Sequence, residues 1–426
     1  MSDLNSLFEA QRRQRFRRQL IAWYVAHQRD LPWRRLADPY AVWISEIMLQ
    51  QTVVAAVIPY FEKFRGRFPD VHALAAAEES EVLQYWEGLG YYSRARNIHK
   101  AAKIVSEELQ GEFPQSVAGL QELPGIGRYT AGAICSFAYD RRAPIVEANT
   151  LRLYSRLIGL EEDPRSKAGQ NQLWEFAELI LPRKSPGDFN QALMDLGSLV
   201  CTPQKPDCAA CPVSSECEAF LSQRQHLIPK PKPRPEITPL TDASIAVFAG
   251  EKLMIRQRMP GERWAGLWDF PRFTLEELNG CSHPVVSRKK TTGKKAAGKK
   301  TNGQKQLFVD QDRRRKQGIE VPDGLPEAVI PRLEEYVLAQ SGVAASIQHF
   351  ASEIRHSVTR YKIRLLCFVA FAEAGARSAV SEEATAGYQW VKVSDLEAYP
   401  LSVTGRKFAK LLAEMVSPAE GSTQKD

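Results

Sequence analysis

Apolar residues recur every three or four positions along the first half of the chain, from residue 7 to about residue 220. Leu20, Trp23 and Tyr24 show the spacing, which places apolar side chains on one face of an α-helix. Phe-Pro pairs at 68–69 and 113–114 interrupt the periodic stretches. The pattern predicts an all-α domain over residues 1–227.

The second half has a different pattern. Short apolar runs predict strands at 243–249, 253–255 and 361–370, and helical spacing predicts helices at 331–341 and 403–415. Between the halves, residues 226–239 contain five prolines, which cannot continue a helix. The sequence therefore predicts a multidomain protein, with a proline-rich linker at 228–240 and an α+β domain at 241–415.

Charge is distributed unevenly along the 426 residues. The formal net charge is +7, but residues 288–316 alone hold twelve Lys or Arg against two Asp, which is +10, so the remainder sums to −3. Low complexity and like charge predict a disordered basic insertion at 283–320, and the polar end predicts a disordered tail at 416–426. Global charge is therefore weak evidence for a nucleic-acid partner.

The N-terminal twenty residues are polar and basic, and the longest apolar run is only 365–372. Neither a secretory signal nor a membrane span is predicted, so we expect a cytoplasmic protein with no membrane partner.

Four of the seven cysteines lie within seventeen residues, at the spacing C-x6-C-x2-C-x5-C: Cys201, Cys208, Cys211 and Cys217. A cytoplasmic protein rarely carries a disulfide framework, so the group is expected to bind metal. Zinc sites usually consist of two short C-x2-C pairs separated by a longer span. The compact spacing favours a cluster of four irons and four sulfurs, with zinc as the alternative.

Three further stretches contain residues suited to chemistry. LPGIG at 123–127 opens a helix after a glycine turn, where backbone amides can meet a phosphate, although tight helix–helix turns share the pattern. Glu46 lies among large apolar residues that would raise the pKa of its carboxyl; the alternative is a solvated helix face. GLGYYSRAR at 88–96 combines aromatic residues and arginines that can stack on bases and hold phosphates. The alternative is a turn packed in the core with two arginines on the surface.

Together these motifs indicate a family. A helical domain with LPGIG, followed about eighty residues later by the four cysteines, resembles the helix-hairpin-helix DNA glycosylases. ISEIMLQQT at 44–52 and GLGYYSRARN at 88–97 narrow the resemblance to MutY-type adenine DNA glycosylases, nearly without gaps from 20 to 217. The resemblance implies one 4Fe-4S cluster in an iron-sulfur loop at 201–217. It also implies that the partner is double-stranded DNA with adenine opposite 8-oxoguanine or guanine. The protein would be a monomer associated with the bacterial nucleoid.

The resemblance also assigns catalytic residues. Glu46 would protonate the adenine of a flipped nucleotide, and a second carboxylate would stabilise the sugar cation. The family has an aspartate in an Asp-Gly-Asn sequence at that second position, whereas this chain has Glu147, one methylene longer, in Glu-Ala-Asn. Tyr129 and Asn149 would orient the second group.

The remaining expected site residues fall into two sets. The adenine pocket would be lined by Arg29, Trp33, Leu49, Val54 and Asp195. Contacts to DNA or to the lesion are expected from Gln50, Gln51, Thr52, Tyr91, Arg94, Arg96, Gly125, Gly127 and Thr359.

The second domain resembles the Nudix-like module of the same family through the stretch GLWDFPR at 266–272. Its helix at 331–341 keeps only Glu334 and Glu335 of the acidic motif that a Nudix hydrolase needs, so no pyrophosphatase activity is expected. Where the family presents Phe-Ser-His, this chain has Val358, Thr359 and Arg360, which predicts weaker discrimination between 8-oxoguanine and guanine.

Two other functions remain open from the sequence. Relatives of endonuclease III share the hairpin and the cysteines but have a lysine where this chain has Tyr129, and its amine attacks the sugar of oxidised pyrimidine nucleotides. The phenol of Tyr129 favours a monofunctional glycosylase. The other alternative is a catalytically impaired protein that only binds the lesion.

Overall fold

The structure is a computed structural model that describes residues 2–231, 236–259, 261–275, 329–373 and 387–416. The expected insertion at 283–320 and residues 417–426 of the tail expected at 416–426 lie outside the described residues, whereas Val416 still belongs to a helix. Internal contacts divide the chain into two units, Met1–Arg234 and Pro235–Asp426. The division falls inside the segment that its prolines mark as a linker.

The first unit is helical, as predicted. Its α-helices are α1 (Ser2–Leu7), α2 (Ala10–His27), α3 (Pro39–Leu49), α4 (Val54–Arg67), α5 (Val71–Ala75), α6 (Glu79–Tyr85), α7 (Ser93–Glu107), α8 (Val117–Gln121), α9 (Arg128–Tyr139), α10 (Ala148–Leu157), α11 (Lys167–Ile180), α12 (Pro186–Leu199) and α13 (Glu218–Leu221). Short 3₁₀ helices lie at Pro32–Arg34 and Ser214–Glu216.

Aromatic side chains join the two ends of this unit in sequence. Phe8 packs edge-on against Phe16 and Phe176, with ring centroids 5.8 and 5.0 Å apart, and Phe16 meets Phe189 at 6.1 Å. All four rings are fully buried. Helix α2 is thereby fixed against α11 and α12, and α12 forms part of the wall of the site described below.

The glycine turn at 123–127 connects α8 to α9. Gly125 has φ +80°, and a Cβ there would lie 2.8 Å from the Cβ of Asn97, so the turn requires glycine for both backbone and space. Gly127 is the N-cap residue of α9. The predicted helix after LPGIG therefore begins at Arg128 and carries Tyr129 in its first turn.

The second unit is an α/β arrangement, which confirms the expected strands and helices. Its elements are β1 (Thr238–Ala249), β2 (Lys252–Gln257), β3 (Trp268–Asp269), β4 (Arg272–Thr274), α14 (Val329–Ser341), β5 (Ala345–Val358), β6 (Tyr361–Ala372), β7 (Tyr388–Lys392), the 3₁₀ helix Val393–Ala398 and α15 (Val403–Val416). Strand β1 begins inside the expected linker because Thr238 already pairs with Tyr361.

These strands form one mixed sheet in the order β3-β2-β1-β6-β5, with β4 paired to β1 and β7 paired to β2. The central pair, β1 and β6, is parallel, and the other pairs are antiparallel. Alternate residues of β1 point to opposite faces: Ile245 packs with α14, and Ala246 with α15. The sheet therefore lies between two helices and has a buried core on each face.

No helix among the described residues is long and apolar enough to cross a lipid bilayer.

Candidate active site

A cavity of about 750 Å³ opens in the helical unit. Helices α3, α9, α10 and α12 and the segment after α2 contribute its walls. Most of the expected catalytic and pocket residues line it together: Arg29, Trp33, Glu46, Leu49, Val54, Tyr129, Glu147 and Asn149. Three of the expected DNA contacts, Gln50, Gln51 and Thr52, line it as well.

Glu46 lies at the inner wall of this cavity. It is only 3% exposed, so the alternative of a solvated helix face does not apply. Burial, with a smaller contribution from the charge of Glu147, raises the pKa of its carboxyl to about 7 against the lowering effects of Tyr129 and Arg34. Near neutral pH this carboxyl therefore exchanges a proton readily, as a general acid must.

Tyr129 orients that carboxyl. Its hydroxyl donates a hydrogen bond of 2.5 Å to Oε2 of Glu46. Burial and the neighbouring carboxylates raise the pKa of the phenol well above its usual value, so Tyr129 keeps its proton and acts as a donor. Because Oε2 accepts this bond, a proton on Glu46 resides on Oε1.

Glu147 occupies the N-cap of α10. Its Oε1 accepts hydrogen bonds from the backbone N–H groups of Asn149 (2.8 Å) and Thr150 (2.9 Å). The hydroxyl of Thr150 accepts a hydrogen bond from the backbone N–H of Glu147 at 2.8 Å, which completes a capping box. The acidic residue is here at the N-cap and the threonine at N3, which is the reverse of the usual order. The extra methylene of glutamate is accommodated by folding the side chain back onto the helix end.

Burial raises the pKa of Glu147, and the two backbone amide bonds oppose that shift. The helix N-terminus also favours a negative charge there. The second oxygen, Oε2, lies 3.5 Å from Nδ2 of Asn149. One carboxylate oxygen is thus bound by the helix end, while the other lies beside Asn149 at the cavity.

Asn149 is held from its other side. Arg152 donates to Oδ1 of Asn149 at 3.0 Å and to the carbonyl of Gly197 at 2.6 Å. A Cβ on Gly197 would lie 3.0 Å from the Cβ of Asn149, so glycine permits this close approach of α12 to α10. The pair Glu147 and Asn149 therefore has a fixed orientation.

Asp195 was expected to line the pocket, but it is not among the residues of the cavity wall. It is fully buried and accepts hydrogen bonds from Arg29 Nε (2.7 Å) and Arg34 Nη1 (2.7 Å). These arginines lower the pKa of the Asp195 carboxyl against the effect of its burial. Asp195 thus positions two guanidinium groups that do line the cavity.

Arg34 is one charged residue of the site that the sequence did not reveal. It lines the cavity and lowers the pKa of Glu46, yet its partner Asp195 lies 161 positions away in the chain. The only local signal is its position beside Trp33 in a short 3₁₀ turn.

Arg94 corrects another expectation. It is 9% exposed, and its guanidinium donates to five backbone carbonyls within the protein. Both Nη groups therefore donate within the protein, and Nε is buried without a partner, so the expected role as a phosphate ligand does not fit. Arg96 is half-buried in the same helix, α7.

Two of the residues expected to contact DNA have an unusual backbone. Gln51 has φ +61° and Tyr91 has φ +48°, and the Tyr91 side chain is 48% exposed. Such conformations are uncommon for residues other than glycine and often occur at functional sites.

The expected lesion contact Thr359 belongs to the second unit. It lies in the turn between β5 and β6 with φ +53°, and its hydroxyl donates to the carbonyl of Val358 at 2.7 Å. The neighbouring Arg360 stacks on the Tyr361 ring at 5.1 Å. The turn thus presents a hydroxyl and a guanidinium on an exposed surface.

The four clustered cysteines line one small cavity near the end of α12. Arg156 donates to Cys201 Sγ at 3.2 Å, and backbone amides donate to Cys211 and Cys217. A cation and amide donors are the surroundings that anionic sulfur needs. Within the described ranges, no group of three or more His, Cys, Asp or Glu side chains forms a site for a metal ion. The thiols share a cavity without forming a compact single-ion site.

The cysteine loop is also tied to the N-terminal helix α2. Glu216, the residue before Cys217, is 4% exposed and accepts from Arg15 Nε at 3.1 Å. Arg12 Nε lies 3.2 Å from its other oxygen. A buried carboxylate between two arginines holds the loop in place.

Comparisons with known proteins agree with this geometry. Residues 44–179 match the family described as HhH-GPD superfamily base excision DNA repair protein. An adenine DNA glycosylase from Mus musculus is 39% identical over 323 residues, 64% of this chain and 63% of that protein. The chain thus spans about three-fifths of the length of this mammalian relative. The structure titled as a thermostable thymine-DNA glycosylase is 29% identical, with a TM-score of 0.47, and covers 50% of this chain and 99% of that chain.

A bacterial relative is covered more completely. The adenine DNA glycosylase of Buchnera aphidicola subsp. Schizaphis graminum (strain Sg) is 39% identical over 259 residues, which is 61% of this chain and 75% of that protein. With that identity over three quarters of the relative, this chain belongs to the adenine DNA glycosylase family.

Proposed function

We propose that the protein removes adenine from duplex DNA by hydrolysing its N-glycosidic bond after the nucleotide is flipped into the cavity. The observation that carries the proposal is a buried carboxyl, Glu46, with its pKa raised to about 7 and oriented by Tyr129. The family membership agrees with this chemistry, since its relatives carry the name adenine DNA glycosylase. A flipped base in a closed pocket is the usual way to reach a glycosidic bond.

Glu46 would act as the general acid. Its proton on Oε1 is transferred to a ring nitrogen of the purine, so that the base departs as a neutral leaving group. Trp33 and Leu49 provide apolar walls beside the base. Arg29 and Arg34 are held by Asp195, whose single carboxylate offsets only part of their positive charge.

Departure of adenine leaves a sugar with oxocarbenium character, which a carboxylate can stabilise until water adds. Glu147 supplies that carboxylate through Oε2, beside Asn149. The environments of the two acids differ as this division of roles requires: Glu46 is desolvated with one donor, whereas Glu147 is bound by two backbone amides at a helix N-terminus.

For the substrate, we propose duplexes with adenine opposite 8-oxoguanine or guanine. Gln50, Gln51, Thr52 and Tyr91 would fill the vacated stack on the side of the opposing base. Thr359 in a Nudix-like second domain would contact the lesion, while Gly125 and Gly127 would present backbone amides to a phosphate. Resemblance supports these assignments, together with the cavity lining and the exposed turn.

We also propose one 4Fe-4S cluster held by the thiolates of Cys201, Cys208, Cys211 and Cys217. Their shared cavity, the Arg156 guanidinium and the amide donors suit an anionic cluster. When bound, the cluster would supply a rigid core for the loop and no electron transfer, because hydrolysis of a glycosidic bond is not a redox reaction.

The proposed activity predicts the outcome of single-turnover assays with adenine placed opposite 8-oxoguanine, guanine, cytosine or thymine. We expect adenine release from the first two duplexes, with strand breaks only after alkali, because Tyr129 offers no amine for a Schiff base. Glu46→Gln should release no adenine. Strand breaks without alkali would instead support an endonuclease III-like lyase.

The raised pKa of Glu46 predicts a pH dependence. The carboxyl keeps its proton below about pH 7 and loses it above, so the single-turnover rate should fall as pH rises through that value. Tyr129 lowers this pKa, so Tyr129→Phe should move the decline to higher pH. Tyr139→Phe, which removes a hydroxyl from the same helix outside the cavity, is the matched control and should leave the profile unchanged. An unmoved decline in Tyr129→Phe would contradict the assignment.

We expect adenine release to depend on the negative charge of Glu147 and not on its hydrogen bonds to the N-terminus of α10. In Glu147→Gln the amide oxygen can still accept from the backbone of α10, so we expect lesion binding to persist while adenine release is lost. Glu147→Asp should keep substantial activity. Asp70→Asn, which removes the charge of the cap of α5 away from the cavity, should release adenine normally. Release by Glu147→Gln at the unmutated rate would rule out the proposed role.

The cluster has a spectroscopic test. The purified protein should be brown, with a broad absorption near ~400 nm from thiolate-to-iron charge transfer. Cys208→Ser should lose DNA binding before it loses helical circular dichroism, whereas Cys135→Ser, at a buried cysteine outside the loop, should stay brown. A colourless protein with one bound zinc would contradict the cluster.

A further inference from the structure

Arg94 forms more hydrogen bonds to backbone carbonyls than a surface arginine would. Its Nη1 donates to the carbonyls of Ile47 (2.6 Å), Met48 (3.1 Å) and Gln50 (2.7 Å), at the C-terminal end of α3. Its Nη2 donates to Leu89 (3.1 Å) and Gly90 (3.2 Å). One guanidinium therefore links two segments that are about forty residues apart in sequence.

These two segments lead directly into the strained residues of the site. Gln50 precedes Gln51 with φ +61°, and Gly90 precedes Tyr91 with φ +48°. Such a conformation is unfavourable for a residue other than glycine and persists only where the surroundings hold it. Because Arg94 bonds the residue before each of them, it constrains both at once.

The same bonds reach the proposed acid. Glu46 lies in the last turn of α3, next to Ile47, whose carbonyl Arg94 binds. The end of a helix leaves carbonyls without intrahelical donors, and here one cation satisfies several of them. The position of the Glu46 carboxyl therefore depends on the same contact that positions Gln51.

We propose that Arg94 is a positioning residue for adenine excision: it locks the end of α3 and the loop before Tyr91 into one rigid element, so that base flipping and proton donation occur in register. The inference rests on the proposed function. It assigns Arg94 no contact with DNA, because its side chain, including the unpartnered Nε, is buried and both Nη groups donate to backbone carbonyls.

Lysine cannot replace this geometry. The planar fork of arginine directs Nη1 and Nη2 to different segments, whereas an ammonium group is one point on a flexible stem. The Trp86 ring lies against the guanidinium, with its centroid 5.2 Å from Cζ, and adds a cation–π contact that favours arginine. Burial lowers the pKa of Arg94 to about 10, so the group stays cationic at neutral pH.

The chain contains a matched control. Arg17 on α2 donates from Nε to the carbonyl of Ile180 (2.8 Å) and from Nη2 to Leu179 (3.1 Å) and Leu181 (3.2 Å), at the end of α11. It is also an arginine that satisfies the carbonyls of a helix end, but it does not line the cavity. Its loss tests what a helix-end arginine does for the fold alone.

The experiment compares Arg94→Met, Arg94→Lys, Arg17→Met and Arg17→Lys in the full chain. Flipping is followed by the fluorescence of 2-aminopurine placed at the adenine position, and chemistry by single-turnover adenine release. Because misplacement on the order of 1 Å can cost about a hundredfold in rate, we expect Arg94→Met to slow release by about that factor and to lose the flipping signal. Binding to an undamaged duplex should stay within about threefold of the unmutated protein.

Arg94→Lys should fold, but it should release adenine at no more than about a tenth of the unmutated rate. Both Arg17 variants should flip 2-aminopurine and release adenine within about threefold of the unmutated protein. If Arg94→Met does not fold, the comparison of Arg94→Lys with Arg17→Lys tests the inference. Equal rates and flipping signals in the Arg94 and Arg17 variants would overturn the inference. An unmutated protein that flips 2-aminopurine but releases no adenine would contradict the proposed function alone, since the flipping signal still tests Arg94.

Discussion

The helical unit brings the ends of short helices into its interior, and the carbonyls exposed at those ends must find donors there. Buried and half-buried arginines meet this constraint repeatedly. Arg94 serves the end of α3, Arg17 the end of α11, and Arg152 the end of α12. Because each guanidinium contacts several carbonyls, the helices are fixed to one another by directional bonds as well as by apolar packing.

The candidate site uses the remaining buried polar groups in the same manner. Glu46 has one neutral donor, so its charged form is poorly stabilised and its proton is held more tightly. Asp195 has two arginines and remains ionised. The number and charge of the donors around each buried carboxyl thus determine which one can deliver a proton and which one only positions its neighbours.

Much of this was predictable from the sequence. Helical periodicity revealed the first unit, and the large apolar residues around Glu46 indicated burial. Arg94 was misread because the sequence does not show that its partners are backbone carbonyls, which carry no signal in residue type. Arg34 was missed because Asp195 is distant in the chain, and the cap formed by Glu147 was unexpected because helix N-caps favour shorter side chains.

The parallel pairing of β1 with β6 has a consequence for how the protein tolerates change. Thr238 pairs with Tyr361, so the centre of the sheet closes a stretch of more than a hundred residues. The entropy lost on closing such a loop grows only with the logarithm of its length, and a doubling costs about 0.6 kcal/mol. The connections between the folded elements of this stretch can therefore vary in length at little thermodynamic cost, while the rate at which the sheet assembles falls as the two strands become more distant in sequence.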